Sequence, residues 1–459
     1  MLDETIVAQA TASGRGGIGV VRVSGPASSE VAKEILGIDL TPRQAYYLSF
    51  KDEDSSSIDM GIALYFKGPN SFTGEDVLEL QGHGGPIVLD LLIKRVLSLN
   101  SKGLNIRLAQ AGEFTQRAFL NGKIDLAQAE SIIDLIEANS VQAAKGAIKS
   151  LQGEFSKKIN DLLESLISLR VYIEAGIDFP DEEIDFLEEG HVKERLITLD
   201  KILLDITKEA KQGVLIREGA KVVILGLPNA GKSSILNALS QKDSAIVTDI
   251  EGTTRDILTE SIYIDGIPIN IIDTAGIRDT LDPIEKIGVD RAISEIETAD
   301  HVLCIIDDSK SQNKDEILNK IKPFLISSKL FELPVTYVHN KIDLLGSIPR
   351  VEKISDASEV YLSALSLEGI DLLKAHLKEM LGYNQFTEDT FTARRRHLEH
   401  LKDVQEHVSL ALSLLDNHDY ADIVAEELRL AQNSINEITG KFDSEDLLTN
   451  IFSSFCIGK

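Results

Sequence analysis

The sequence is poor in cysteine, in long apolar runs and in basic residues, and each shortage excludes a class of protein. Its 459 residues include 2 cysteines, Cys304 and Cys456, too few for a disulfide framework and consistent with a reducing compartment. No run approaches the ~18 consecutive apolar residues of a membrane-spanning helix. The first residues carry neither the basic nor the apolar region of a signal peptide. We therefore expect a cytoplasmic protein without membrane contacts.

Basic residues are outnumbered by acidic ones. Lys and Arg total 47 against 74 Asp and Glu, a formal net charge of −27. This balance excludes a general nucleic-acid binder, whose contact surface is basic. Contact with a nucleic acid would need the positive charge of a partner protein or a local basic patch on this chain. The one clear basic cluster is Arg394–Arg396, for which a solvated helix end is the alternative interpretation.

A phosphate-binding loop stands near the middle of the chain. Residues 226–233 read GLPNAGKS, which matches the pattern G-x-x-x-x-G-K-[ST]. The apolar run Val222–Leu225 precedes the loop as a predicted strand, and Ser234–Leu239 follows as a predicted helix. In this context backbone N–H groups converge on phosphates, Lys232 reaches the β- and γ-phosphates, and the Ser233 hydroxyl ligates Mg²⁺.

Four further motifs follow in the order that a guanine-nucleotide site requires. They are Gly252–Asp256, Asp273–Gly276, Asn340–Asp343 and Ser363–Leu365. We assign Thr254 to Mg²⁺ coordination, Asp273 to support of the metal and the Gly276 N–H to the γ-phosphate. The Asp343 carboxylate can accept both N–H donors of a guanine edge, which adenine lacks. The motifs together predict a GTP-binding domain.

The water-orienting group of this domain is unusual. Many GTPases have a glutamine directly after Asp-x-x-Gly, whereas this chain has Ile277, which cannot polarise water. The carboxylates that could replace it, and the arginines that could imitate an arginine finger, are Asp279, Asp282, Glu285, Arg255 and Arg278. The alternative is that these residues belong to a solvated, mobile switch loop.

Periodicity divides the rest of the chain. Strand and helix signals mix up to about Leu120, with strands at 5–10, 18–23, 61–66 and 77–80 and helices at 28–36 and 86–99. Helical periodicity then dominates to about Ile216 and resumes beyond residue 383. We expect an α/β domain at 1–120, a helical domain at 121–215 and 384–459, and an inserted Ras-like α/β P-loop GTPase domain at 216–383. Two separate small helical bundles are the alternative to one helical domain.

The motifs together resemble the tRNA-modification GTPase family MnmE, also called TrmE. GLPNAGKSS, GTTRD, DTAGIR, IEKIG and NKID carry the resemblance in the GTPase domain. Outside that domain it rests on Ala8–Thr11, Ser71–Asp76, Gln81–Gly85 and Phe455–Lys459, and so it covers essentially the whole chain. Members of the family are K⁺-activated, with the cation near the position of an arginine finger.

The resemblance implies particular residues for the nucleotide and its cations. Asn229, Thr248, Ile250 and Thr253 would ligate K⁺, and Glu285 would orient water, while Mg²⁺ stays with Ser233 and Thr254. The expected GTP contacts are Asn229, Ala230, Gly231, Lys232, Ser233, Ser234, Thr248, Asp249, Ile250, Glu251, Gly252, Thr253, Thr254, Asp273, Thr274, Ala275, Gly276, Asn340, Lys341, Asp343, Ser363, Ala364 and Leu365.

The family also implies a folate site in the N-terminal domain, which would dimerise. The expected contacts of 5-formyltetrahydrofolate or a related folate are Arg22, Glu79, Lys123 and Lys459. A carboxylate can pair with a pterin N–H edge, and the basic groups suit a glutamyl tail or the polar face of the ligand. Without the resemblance, Arg22 and Glu79 look like ordinary polar residues of an exposed strand face. Cys456 is a candidate active-site residue whose role as nucleophile, proton donor or orienter stays open.

Two functions compete at this point. The resemblance implies a homodimeric enzyme that, with the FAD-dependent partner MnmG (GidA), installs a carboxymethylaminomethyl or aminomethyl group at C5 of the wobble uridine of certain tRNAs. The alternative is a regulatory GTPase in RNA or ribosome assembly without modification chemistry. The N-terminal domain and the cysteine-bearing tail, which reads as apolar enough to dock, favour the first because a pure switch needs neither.

Overall fold

The computed structural model describes most of the chain. Described are residues 4–178, 191–227, 229–240, 259–264, 267–273, 299–310, 333–354, 357–382, 390–415, 421–440, 451–452, 455 and 458. Contacts group the chain into two compact units. One comprises Met1–Ile133, Leu151–Leu203 and His400–Lys459, and the other Asp134–Ser150 and Leu204–Glu399. The sequence-based domain boundaries stay predictions. In the described part, no helix is long and apolar enough to span a membrane.

The N-terminal stretch forms a mixed sheet with helices on both faces. Its elements are β1 (Thr5–Gln9), β2 (Gly16–Ser24), α1 (Ser28–Leu36), β3 (Tyr46–Lys51), β4 (Ser57–Phe66), β5 (Val77–Gly84), α2 (Pro86–Ser98), β6 (Ile106–Leu108) and α3 (Glu113–Leu120). The strand order is β3-β4-β5-β2-β1-β6, and only the β1–β6 pair is parallel among these neighbours.

Alternation along the strands decides which face is buried. Val21, Val23, Leu78 and Leu80 pack under α1 and α2, so the residues between them point to the opposite face of the sheet. The predicted strands and helices of this domain are present, and β4 and β5 extend beyond their predicted bounds. Sequence patterns do not single out β3 or β6. The first is an edge strand without clean alternation, and the second has 3 residues.

In the described residues between 121 and 218, four helices follow. They are α4 (Leu126–Ile136), α5 (Val141–Leu151), α6 (Glu154–Asp178) and α7 (Val192–Glu218). The apolar stripe of α6 is buried from Ile159 to Leu169. On α4, Leu126 and Ala129 are buried, whereas Ile136, an apolar residue at the same helical spacing, is 48% exposed at the helix end. Helical periodicity therefore locates these helices correctly and fails at one terminal residue.

The nucleotide-binding stretch is a seven-stranded α/β unit. Its described elements are β7 (Ala220–Gly226), α8 (Lys232–Ser240), β8 (Thr259–Ile264), β9 (Ile267–Asp273), β10 (His301–Asp307), β11 (Val335–Asn340), β12 (Arg350–Ile354), β13 (Ala357–Tyr361) and α9 (Ile370–Met380). The order is β12-β13-β11-β10-β7-β9-β8, with β12 and β8 antiparallel at the edges and the five central strands parallel. Loops after parallel strands meet at one edge, and four of the five nucleotide motifs follow such strands, Gly252–Asp256 being the exception.

After this unit, the described residues form two helices that belong to the helical domain. They are α10 (Arg395–Leu414) and α11 (Ala421–Thr439). Helix α11 packs along α6, where Arg170 Nη1 donates to Gln432 Oε1 at 2.7 Å. A helix that precedes the nucleotide-binding unit therefore packs against one that follows it, and the choice between one helical domain and two bundles stays a prediction. The predicted multidomain architecture of α/β and helical parts is confirmed.

A buried chain of polar groups crosses the α/β unit. His301 Nε2 lies 2.9 Å from the Thr336 hydroxyl, which lies 2.9 Å from His376 Nε2. The hydroxyl has one proton, so it can donate to only one imidazole and must accept from the other. Burial, and secondarily the charge of His376, lowers the pKa of His301 to about 4, and burial lowers the pKa of His376. Both side chains are therefore held neutral.

We predict that acid destabilises this unit through His301. Its folded pKa lies below the ordinary value, so the stabilisation is complete above about pH 6.5 and is lost as pH falls towards 4, by up to about 3 kcal/mol. Calorimetric unfolding between pH 7 and pH 4.5 should show a shallower pH dependence in His301→Leu. The control His191→Leu removes a histidine that is 77% exposed, with its nearest described carboxylate 3.9 Å away, and should follow the wild type. Parallel pH profiles for all three proteins would contradict the prediction.

Candidate functional site

The phosphate-binding loop joins β7 to α8 through positions with restricted backbones. Asn229 has φ of 65° and Gly231 has φ of 97°. A side chain at Gly231 would collide with the amide nitrogen of Asn340, so only glycine fits there. Ser233 and Ser234 are exposed in the first turn of α8. The helix N-terminus therefore presents free N–H groups and hydroxyls where phosphate and Mg²⁺ are expected.

The Asn340 side chain connects three of the predicted nucleotide loops. Its amide nitrogen donates to the Ala230 carbonyl at 2.9 Å, and its amide oxygen accepts from the Ala364 N–H at 3.0 Å. Asn340 is 2% exposed. A buried, doubly satisfied amide holds the phosphate loop, the base-recognition motif and the loop after β13 in one arrangement.

Other residues predicted to contact the nucleotide lie on the loops that this amide connects. Lys232 Nζ donates to the Gly226 carbonyl at 2.9 Å, at the mouth of the loop. Asp343 is exposed on a short 3₁₀ turn, Ile342–Leu345, as a base-recognising carboxylate must be. Ser363 is buried and Leu365 is 87% exposed. The base loop is therefore anchored at one end and open at the other.

Several predicted residues lie outside the described part of the chain. Asp273 ends β9, and of this residue only the backbone is described. Outside the described residues are Thr248, Asp249, Ile250, Glu251, Gly252, Thr253, Thr254, Thr274, Ala275, Gly276, Glu285, Cys456 and Lys459. Their roles stay predictions.

The predicted folate residues Arg22 and Glu79 face each other across neighbouring strands. They are register partners on β2 and β5. Arg22 Nε and Nη2 both approach Glu79 Oε1, at 2.9 and 2.8 Å, and Gln81 Nε2 donates to Oε2 at 3.3 Å. The side chains are 24% and 16% exposed. The carboxylate is thus oriented from two sides and stays partly accessible to a ligand.

Lys123 is not joined to this pair by any described contact. Its ammonium group donates to the Pro69 carbonyl at 2.9 Å. Gln81, which orients Glu79, is not predicted as an individual site residue from the sequence. Its position two residues after Glu79 on the same strand could have indicated it, because alternate residues of a strand share a face.

The C-terminal tail docks as its apolar residues predict. Phe452 and Phe455 are 2% and 5% exposed and pack with Leu126, Ala129 and Ile133 of α4. Further along, Gly458 has φ of 99° and lies so close to Gln9 that a side chain there would collide with the Gln9 carbonyl. The tail therefore reaches β1, the neighbour of the strand that carries Arg22.

The basic cluster Arg394–Arg396 is engaged in ion pairs. Arg394 Nη2 lies 2.8 Å from Asp134, which also pairs with Arg217 at 2.7 Å. Arg395 pairs with Glu218 at 2.8 Å. Neither of these arginines is a free cation for a phosphate backbone, and neither is simply a solvated helix end. The idea of a local tRNA-binding patch at this cluster is not supported by these contacts.

Comparisons with known proteins agree along the whole chain. A family model for the MnmE helical domain matches residues 126–456, and one for the GTP-binding protein TrmE N-terminus matches residues 5–123. The chain is 56% identical over 459 residues to the tRNA modification GTPase MnmE of Actinobacillus pleuropneumoniae serotype 3 (strain JL03), covering 100% of both chains. It is also 56% identical over 458 residues, again 100% of both, to the protein of that name from Haemophilus influenzae (strain PittGG).

A solved structure, the G domain of the T. maritima FeoB iron transporter, is 25% identical. The match covers 36% of this chain and 99% of that one, with a TM-score of 0.25.

We predict that Gly231→Ala disables nucleotide binding. The new side chain would collide with Asn340 and oppose a positive φ, so affinity for a fluorescent GTP analogue should fall at least about tenfold. Gly382→Ala is the matched control, because Gly382 has φ of 75° with nothing within 4 Å of an added side chain. Equal affinity of the two variants would show that the contact with Asn340 does not constrain the loop.

Proposed function

The chain belongs to the MnmE family of tRNA modification GTPases, and we propose that it is a K⁺-activated GTPase that takes part in modifying the wobble uridine of tRNA. Membership of this family itself implies that the protein hydrolyses GTP with Mg²⁺ and acts in tRNA modification. The proposed product carries a carboxymethylaminomethyl or aminomethyl group at C5 of that uridine in certain tRNAs. A tetrahydrofolate supplies the carbon, and an FAD-dependent partner, MnmG (GidA), completes the enzyme in the cytoplasm.

One observation favours modification chemistry over a regulatory switch: the C-terminal tail packs on β1, the strand next to the one that carries Arg22 of the Arg22–Glu79 pair. Arg22 stands opposite Ala8 of β1 in the strand register, and Gly458 packs on Gln9, the next residue of β1. A switch that only reports its nucleotide state does not need a C-terminal tail packed beside a polar strand pair. An enzyme that presents a cysteine of the tail to a bound one-carbon donor needs the tail in that position.

The strand pair suits a folate. Glu79 is held by Arg22 and Gln81 yet keeps an accessible fraction, so its carboxylate can accept hydrogen bonds from the N–H edge of a pterin. The Arg22 guanidinium also lies 5.7 Å from the centre of the Phe114 ring. The result is a polar strip beside an aromatic surface, the combination that a flat, hydrogen-bonding heterocycle uses. Lys123 and Lys459 complete the proposed contacts.

The phosphate loop suits a monovalent cation. Asn229 lies in the left-handed region at an exposed position of the loop, with its carbonyl turned to Lys341. Its amide oxygen is a hard, neutral ligand appropriate for K⁺, with Thr248, Ile250 and Thr253 as the remaining proposed ligands. A cation beside the phosphates offsets charge that develops during hydrolysis without a protein arginine. Glu285 orients the attacking water.

Features of the surface support the proposed self-association and the proposed partner. Ile18, Tyr47 and Ile87 of the N-terminal domain are 69%, 70% and 76% exposed. Apolar side chains this open on one domain suit the interface of a homodimer. Because the net charge is −27 and Arg394 and Arg395 are engaged in ion pairs, MnmG would provide most of the contacts to tRNA.

We predict that GTP hydrolysis by the wild type is at least about tenfold faster in K⁺ than in Na⁺, because a correctly sized cation stabilises transition-state charge. Asn229→Ala should lose most of this difference. Asn237→Ala removes an equivalent exposed amide from α8 and should keep it. Initial rates at matched ionic strength provide the measurement. Equal wild-type rates in the two salts would refute cation activation.

We predict that cells lacking the protein lose the wobble modification, as measured by mass analysis of tRNA nucleosides. Wild-type protein should restore it and Glu79→Gln should not, although the purified Glu79→Gln variant keeps its GTPase rate. Glu53→Gln, at a carboxylate that is 65% exposed in the same domain, is the control that should restore modification. Unchanged wobble uridines in the deletion would favour the regulatory switch.

A further inference from the structure

Asp307 is a buried carboxylate at the carboxyl end of β10. Its side chain is 1% exposed and lies 2.6 Å from Lys341 Nζ, 2.5 Å from the Ser309 hydroxyl and 3.7 Å from Lys310 Nζ. Burial works to raise the pKa of Asp307, but the hydrogen bonds from Lys341 and Ser309 outweigh it and hold the pKa below its usual range. The group is therefore a fixed negative charge.

The parallel register explains why Asp307 meets Lys341. Asp307 is the strand partner of Asn340, so the residue after Asn340 emerges next to the carboxylate. Lys341 itself has φ of 70°, a conformation that costs a non-glycine residue energy unless its surroundings hold it. Its ammonium group is held at two points, by Asp307 and by the Asn229 carbonyl at 2.9 Å.

The contact of Lys341 with the Asn229 carbonyl joins it to the phosphate loop. Asn229 is also a non-glycine residue at positive φ, 65°. Its carbonyl and that of Ala230 are bound by consecutive side chains, Lys341 and Asn340 respectively. Asn340 already holds the loop against the base-recognition motif, so the Lys341 contact has a separate effect. It sets the peptide orientation of Asn229 and with it the direction of the Asn229 side chain.

We propose that Asp307 is a positioning residue for the monovalent-cation site: it aims Lys341 at the Asn229 carbonyl and so presents the Asn229 amide to the ion. The inference rests on the cation activation proposed above. Asp307 touches neither the nucleotide nor the ion in this role. Without its charge, Lys341 loses one of its two anchors, and Asn229 is free to leave the left-handed conformation.

The test is a K⁺ titration of GTP hydrolysis by the full chain. Asp307→Asn keeps the size of the side chain and removes its charge, so half-maximal activation should need at least about tenfold more K⁺. Affinity for fluorescent GDP in Na⁺ buffer should stay within about threefold of wild type, since the Asn340 contacts remain. Asp308→Asn removes the adjacent carboxylate, which pairs with His339 instead, and should behave as wild type in both measurements.

A double substitution adds a readout that general damage would not produce. In an Asn229→Ala background, Asp307→Asn should cause no further change in the K⁺ requirement, because both act through one ligand. A wild-type K⁺ requirement in Asp307→Asn would overturn the proposal, as would parallel losses of GDP affinity and K⁺ response. If wild type responds to K⁺ and Asp307→Asn does so equally, only this inference fails. If wild type is indifferent to K⁺, cation activation fails and this inference with it.

Discussion

The nucleotide site depends on one buried amide, that of Asn340. It binds the Ala230 carbonyl and the Ala364 N–H at the same time, so three loops that are far apart in the chain share one fixed point. The amide also explains why position 231 must be glycine, since any side chain would occupy the space that the amide needs. Because a buried amide without partners is costly, the loops either adopt this arrangement together or lose it together.

Lys341 adds a second connection beside the first. Asp307, Lys341 and Asn229 form a short chain of hydrogen bonds from the centre of the sheet to the phosphate loop. The two connections differ in what they hold: Asn340 secures the position of the loop, and Lys341 secures the conformation of one residue in it. Base recognition and the proposed cation ligand are thereby linked through protein groups alone.

Several charged side chains that are conspicuous in the sequence form ion pairs within the described part of the protein. Arg394 and Arg395 look like a nucleic-acid patch in the sequence, yet they neutralise Asp134 and Glu218. Arg22 and Glu79 likewise look like two separate ligand contacts and prove to be each other's partner. A sequence shows that a charge is present but does not show which opposite charge lies across the strand or helix.

Local pattern was sufficient for the elements and motifs of this chain. The phosphate loop between β7 and α8, the helix Ser28–Leu36 and the buried stripe of α6 all follow from spacing within about twenty residues, because hydrogen bonds and alternation within an element are local. Five motifs in order were enough to predict a guanine-nucleotide site. The sequence by itself therefore determined the fold class and the chemistry of the nucleotide.

Only the tertiary structure decided which distant residues meet. The contact of Gly458 with Gln9, the ion pair of Asp307 with Lys341 and the pairing of Arg22 with Glu79 depend on strand register and on where chain segments return. Register is a property of two strands rather than of either one, and a one-residue shift of a strand would turn a side chain such as that of Glu79 to the other face. For that physical reason the partners of the functional residues emerged from packing and not from spacing.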